Sequence, residues 1–596
     1  LGRPTSVGNG QETRIYSYDT CTNGKGRLCR MAGSDSVTTH SWSTFAYTPE
    51  GWLATRQDAM QNTVNITGYT YDGLGRSTGI SYPSGVAVGY AYDHGKLIAV
   101  TSTRGGTTTT IASGFRYQPF GAATEWVYGN GLKHSASFDL DGRLTHLGAS
   151  NGVTVRQNLS YGYNQGDEIT AITNGTDATQ NRAYAYDTAG RLSQDTLSNL
   201  AWSFDANGNH NRFTSPGGQT DYVIEPTSNR VSSYATLAGV HTNYQYDARG
   251  NRSVAQEQPG ITQSYAYDVF NRLSTVTTGT QVTKLLYNAQ DQRVGKTADG
   301  SQTRYIYVGN QLATEYGSAG WKSYIWAGPE LLGVVRDNGA TYFVHNDHLG
   351  RPEVVTGASL EVVWRAANSP YGRTIVQDNI EGLNLGFPGQ YQDVETGLWI
   401  NGYRTYDESI GRYLESDPIG LGGGANTYTY VSANPLGYVD PYGLEQGKAF
   451  NAIFKADGGV LQRSNDGYHY YSVWVPLCAG GCTLNEAFDA MRNFSAPGAP
   501  AAQDGSRNLV LLGITSGNPI NQTVDPCKRT IANVTLPGHL FGGSVTISII
   551  QQNGVIGAQI IGTGIGPNPI LNQLTGPLIF RALGFGARES MRESAQ

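Results

Sequence analysis

The chain has 596 residues, of which only 15% are charged, against about a quarter in ordinary soluble domains; Gly numbers 78, Tyr 38, and the formal charge is -6. That composition favours turns and strands over helices, and it leaves no basic stripe of the kind duplex nucleic acid demands, so nucleic-acid binding by the repeat region is not expected. No apolar run approaches the ~18 residues of a membrane-spanning helix, and Leu1 stands in mid-pattern without a signal-peptide core, so secretion by a cleaved signal is not expected either.

Near the start, Cys21 and Cys29 flank the turn-like Thr22-Asn23-Gly24-Lys25-Gly26. They could face each other across a hairpin as a disulfide, or stand as two separate thiols. From Tyr16 onward a short signature recurs: Tyr16-Ser17-Tyr18-Asp19, Tyr69-Thr70-Tyr71-Asp72-Gly73-Leu74-Gly75-Arg76, Tyr90-Ala91-Tyr92-Asp93, Tyr184-Ala185-Tyr186-Asp187-Thr188-Ala189-Gly190-Arg191, Tyr244-Gln245-Tyr246-Asp247 and Tyr265-Ala266-Tyr267-Asp268. Weaker copies fall at Phe138, Tyr161, Trp202, Tyr287 and Tyr305. Tyrosines two apart lie on one face of a strand, Asp opens a turn through its side chain, and a Gly three places on supplies positive φ. One hairpin per repeat is therefore predicted. Hairpins in series make an antiparallel ribbon that must twist and curl, with an open solenoid or a propeller as the alternatives.

These units resemble the tyrosine-aspartate repeats of bacterial rearrangement-hotspot (Rhs) proteins, shared with insecticidal Tc toxin C subunits and teneurins. A second block is similar to the conserved core of that family: Tyr342-Phe343-Val344-His345-Asn346-Asp347-His348-Leu349-Gly350-Arg351-Pro352, Phe387-Pro388-Gly389-Gln390-Tyr391 and Gly397-Leu398-Trp399-Ile400-Asn401-Gly402-Tyr403-Arg404. The block ends in two Asp-Pro-x-Gly motifs, Asp417-Pro418-Ile419-Gly420 and Asp440-Pro441-Tyr442-Gly443. The resemblance implies a mainly β fold, a large spiralling antiparallel shell or cocoon followed by a small α+β C-terminal toxin domain. It divides the chain into a repeat shell over 1–340, a core with autoprotease and plug over 341–444, and a toxin over 445–596.

Two carboxylates brought together cannot both ionise cheaply, so one retains a proton and the pair can act as acid and base on water. The resemblance assigns Asp417 and Asp440 as such an aspartic dyad, Arg404 as its support, and Leu444-Glu445 as the bond cut. Taken singly, an Asp-Pro-x-Gly motif merely makes a turn. Two copies framing a change of composition favour proteolysis. His345 and His348 are read as structural polar residues of the core.

Beyond Glu445 the signature disappears. Tyr468 to Val475 reads as a strand, and Thr483-Leu484-Asn485-Glu486 as a capping box opening a helix through Phe494. A loop is expected over 495–506, strands at Leu509–Ile514, Ser544–Ile550 and Val555–Ile561, and helix over Ile570–Arg592. The tail's ten basic and nine acidic residues exclude a strongly basic nuclease type. Its candidate catalytic residues are His539, in a glycine-flanked turn, with His469, Asp525 and Cys527 as companions. The competing reading is a membrane-active toxin, drawn from the Gly/Ile/Val-rich run Ser544 to Gly566, for which a target membrane would be the partner. A teneurin-like adhesion scaffold is the third.

No cofactor is read from the sequence, and Cys478 and Cys482 lack the second ligand pair of a zinc site. Gly562-Thr563-Gly564-Ile565-Gly566 is followed by Pro567 and Pro569, which disfavours a phosphate-binding loop. As partners the resemblance implies the chain's own toxin domain inside the shell, a cognate immunity protein, and a secretion spike or delivery adaptor. It also implies export without a signal peptide into target cells, by type VI secretion, for interbacterial or anti-host killing.

Overall fold

The computed structural model describes residues 3–8, 11–35, 39–60, 63–118, 123–448, 468–478, 482–493, 501–504, 507–512, 515–526, 529–535, 544–552 and 555–565. They fall in two compact units, Ser6–Val460 and Leu461–Gln596, the latter taking in Leu1–Thr5.

The first unit carries one sheet of 35 strands, from Ser6–Gly8 to Arg373–Asp378. Each strand pairs antiparallel with the strands before and after it, as the one-hairpin repeat requires. The repeat unit's chemistry is the same along the ribbon. Asp187 Oδ1 accepts the Ala189 and Arg191 backbone N–H groups at 2.9 and 3.1 Å, while Arg191 Nε donates to Asp187 Oδ2 at 2.7 Å. Asp72 and Asp139 repeat this set with Arg76 and Arg143. Gly190 closes the turn at φ +74, and in the Asp268 turn Asn271 takes the same role at φ +65.

Tyr69, Tyr90, Tyr184, Tyr244 and Tyr265, each the first of its pair, are buried, and Tyr71, Tyr186, Tyr246 and Tyr267, each the second of its pair, send their hydroxyls to a main-chain carbonyl of the preceding hairpin. Tyr71 donates to Leu53 O at 2.7 Å, Tyr186 to Ile169 O at 2.9 Å and Tyr267 to Arg252 O at 3.0 Å. The partner strand carries one extra residue opposite that second Tyr, a β-bulge at Tyr71, Tyr186, Tyr246 and Tyr267. Bulges increase local twist, so a repeated bulge curls the ribbon steadily.

The curl brings the ribbon back over itself. Arg14 pairs with Asp291, Tyr82 OH donates to Tyr324 O, Tyr128 OH to Val344 O, and Asn174 Nδ2 to Glu353. The sequence separation of these partners is 277 residues at Arg14 and 179 at Asn174. The wall is a spiral. Cys21 and Cys29 are bonded to each other, with Cα atoms 5.3 Å apart, so the hairpin carries a disulfide and not two separate thiols.

After the last shell strand, a four-stranded sheet forms from Gln390–Asp393, Leu398–Asn401, Arg404–Asp407 and Arg412–Tyr413. Buried ion pairs fasten it to the repeats: Arg293 to Asp393 at 2.6 Å and Arg252 to Asp407 at 2.6 Å. A two-residue strand, Tyr438–Val439, pairs with Gly447–Lys448, so the chain just past Leu444 is still tied to the core. The compact unit therefore runs beyond the bond expected to be cut.

The second unit is a six-stranded antiparallel sheet with a helix over Leu484–Asn493. The capping box forms, with Thr483 Oγ1 accepting the Glu486 N–H at 3.2 Å and Glu486 Oε2 accepting the Thr483 N–H at 2.6 Å. Ala487, Phe488 and Met491 on the helix pack with Ile547, Ile549, Ile556 and Ile560 of the sheet. The Ile/Val-rich run that suggests membrane activity thus supplies a core. Strands Thr515–Asp525 and Thr530–Thr535 were not expected. The former is largely polar and contains Pro519, and only Ile520, Gln522 and Val524 are buried along it among the described side chains. Cys478 and Cys482 are bonded. The helix expected over Ile570–Arg592 lies outside the described residues.

Candidate active site

The second Asp-Pro-x-Gly turn is pressed between two glycines of the core sheet. A β-carbon on Gly389 would lie 1.9 Å from Pro441 O, and one on Gly402 would lie 2.4 Å from Tyr442 O. Both glycines have positive φ. These contacts explain why Phe387-Pro388-Gly389 and Asn401-Gly402 accompany the motif in sequence. They leave Asp440 facing Arg404, the first residue of the core-sheet strand Arg404–Asp407.

Arg404 is the hub. Its Nη1 lies 3.0 Å from Asp417 Oδ2, its Nη2 lies 2.9 Å from Asp440 Oδ2, and its Nε donates to Gly443 O at 2.6 Å. All three side chains are buried. The structure therefore brings together Arg404, Asp417 and Asp440, with a guanidinium contacting both carboxylates. Asp417 Oδ1 accepts the Ile419 N–H at 2.9 Å and Asp440 Oδ1 accepts the Leu444 N–H at 2.9 Å, so each motif closes its turn on its own Asp.

The two acids differ in support. Asp440 receives Arg404, the Leu444 N–H and the Tyr413 hydroxyl, the last at 2.8 Å. Asp417 receives only Arg404 and the Ile419 N–H in side-chain contacts. Burial pushes the Asp417 carboxyl up to about 6, against the pull of Arg404 and the Ile419 N–H, and the neighbouring Asp440 and Glu445 carboxylates add to the rise.

Gly423 shows where the Leu444 carbonyl lies. A β-carbon there would stand 2.2 Å from Asp417 Oδ2 and 2.8 Å from Leu444 O, so one glycine faces both the raised acid and that carbonyl oxygen. Neither Gly423 nor Tyr413 was singled out from the sequence.

His345 Nε2 bonds Thr356 Oγ1 at 2.9 Å and His348 Nε2 bonds Leu436 O at 3.2 Å. Burial lowers them to about 3 and about 4 respectively, so both are neutral at physiological pH. Of the tail candidates, His539 and Cys527 lie outside the described residues. Asp525 ends the strand Thr515–Asp525, and His469 lies in the strand Tyr468–Cys478. Among the described residues no cluster of His, Cys, Asp and Glu could hold a metal ion.

Residues 172–421 match the family model described as teneurin YD-shell. The repeat region is thus similar to the YD shell over those residues. The double-stranded DNA deaminase toxin A of Burkholderia cenocepacia is 28% identical over 338 residues, covering 50% of this chain and 23% of that protein. The probable deoxyribonuclease RhsA of Dickeya dadantii is 29% identical over 388 residues, 59% of this chain and 27% of the relative. The chain spans about a quarter of the length of these relatives. A crystal structure of TcdB2-TccC3-Cdc42 superposes with a TM-score of 0.60 over 74% of this chain and 27% of the other at 18% identity, a likeness of fold. The likeness to these proteins thus lies in the shell.

Proposed function

We propose that this YD-shell protein cuts its own backbone between Leu444 and Glu445 and that the residues beyond are a toxin carried by the shell. The supporting observation is the convergence of Arg404, Asp417, Asp440 and the Leu444 carbonyl on Gly423 and the second Asp-Pro-x-Gly turn. In the reaction, a water oxygen bonds to the Leu444 carbonyl carbon while its proton passes to the ionised Asp440. The proton of Asp417 then goes to the Glu445 nitrogen as the C–N bond breaks. The products are the Leu444 carboxyl group, whose own proton passes to the released Glu445 amine, and a proton exchange between the acids restores the pair. Arg404 stabilises the negative charge on the tetrahedral carbon's oxygen. Tethering of the bond beside the acids supplies high effective concentration.

The relatives carry a deaminase name and a deoxyribonuclease name over similar shells, which supports a tail whose chemistry varies independently of the container. In this reading the tail is an enzyme acting in target cells, with an immunity protein in the producer and delivery by type VI secretion. The purified chain tests the cut. Wild type should yield two fragments on a denaturing gel and Asp440→Asn one polypeptide of 596 residues. Equal cutting of both would refute the assignment.

A further inference from the structure

We propose that Tyr413 is a positioning residue of the cutting site: its ring and hydroxyl hold the Asp440 carboxylate in register with the Arg404 guanidinium, as the group that takes the proton of the attacking water, while Asp417 supplies the proton to the leaving nitrogen. This inference rests on the self-cleavage reading above.

Three contacts fix the phenol. The Tyr413 ring lies beneath the Arg404 guanidinium, whose central carbon is 3.7 Å from the ring centroid. Asn401 Nδ2 donates to the Tyr413 oxygen at 2.8 Å and to Asp440 O at 3.0 Å. With its oxygen already accepting from Asn401, the phenol has its own proton free to give, and Asp440 Oδ2 takes it at 2.8 Å. The group is wholly buried, so the bond competes with no solvent. Tyr413 thereby touches the cation and one anion of the site at once and sets their relative position, while its contacts do not include Asp417.

The asymmetry follows from counting donors. Asp440 accepts from Arg404, Tyr413 and the Leu444 N–H, whereas Asp417 accepts from Arg404 and the Ile419 N–H. The other titratable groups facing the pair are Glu445, which adds negative charge beside Asp417, Glu415, whose Oε2 accepts the Thr405 N–H at 2.7 Å next to Arg404, and Tyr430, whose proton is held by burial. None of them contributes a further donor to Asp440.

Tyr413→Phe deletes the hydroxyl and keeps the ring under Arg404. The variant thus withdraws from the Asp440 carboxylate one of its three donors, a hydrogen bond to a charged group. In the rate of self-cleavage against pH, the acid limb should move up while the alkaline limb near pH 6 stays in place, narrowing the bell. A uniformly slower profile with an unmoved acid limb would overturn the proposal. An independent measurement needs no cutting: infrared titration of the carboxyl band that Asp440→Asn removes, recorded in an Asp417→Asn background with and without Tyr413→Phe. An unchanged Asp440 midpoint there overturns the role of Tyr413 whatever the chain's activity. A shifted midpoint in a chain whose parent never cuts upholds the positioning contact and refutes only the self-cleavage reading.

Discussion

The shell turns and the proposed cutting site use the same three residue types, Asp, Arg and Gly, to opposite electrostatic ends. At Asp139 the Arg143 backbone N–H leads a set of donors that, despite some loss of solvation, holds the carboxyl below its ordinary range. At Asp187 burial pulls upward, but the Arg191 side chain and the Arg191 and Ala189 N–H groups outweigh it. At Asp417 the balance reverses: burial dominates, one N–H and a guanidinium shared with Asp440 do not compensate, and the acid rises to about 6. A turn Asp with its own Arg is a lock. Two Asp residues dividing one Arg leave a proton available.

The comparison breaks most visibly at Gly423. Gly423→Ala needs no left-handed backbone, yet its methyl group would collide with Asp417 Oδ2 and crowd Leu444 O, so self-cleavage should be lost with thermal unfolding unchanged. Cutting at the parental rate would show that the two oxygens are not part of one site. Next comes pH. Because the folded Asp417 binds its proton up to about pH 6, cleavage that uses the proton should fall as pH rises through about 6. The stabilisation carried by that proton is full below the ordinary carboxylate range and lost over the same rise. A rate that climbs between pH 5 and 8 would assign the proton elsewhere.

Smaller effects probe the lock. Asp347 is a buried turn Asp whose Oδ2 takes Arg351 Nε at 2.8 Å and Asn368 Nδ2 at 3.1 Å. Asp347→Ala strands a buried cation and should cost about 3–5 kcal/mol in denaturant unfolding. The smallest change is Tyr186→Phe, which removes one bond to Ile169 O and should cost about 1 kcal/mol by the same measurement. Equal costs for the two variants would mean that the turns are not held by their ion pairs.

What could be read in advance was local. The Tyr-x-Tyr-Asp strand and turn, the Thr483 to Glu486 capping box and the Asp417, Asp440 and Arg404 trio are each written in short spacings or in a family likeness. The pairing of Tyr128 with Val344, 216 residues apart, depends on how far each bulge bends the ribbon, and no single repeat states that. Arg191 stood in the repeat as a passenger, since its lock on Asp187 depends on side-chain geometry across the turn. Gly423 was hidden among Gly422, Gly423 and Gly424, because its role lies in what a side chain would strike.

The central claim is that Arg404, Asp417 and Asp440 cut one bond. Sequencing the amino terminus of the smaller fragment from the purified chain tests it most directly. The fragment should begin Glu445-Gln446-Gly447. A fragment beginning elsewhere, or a chain that stays whole at pH 5 to 6, would contradict it.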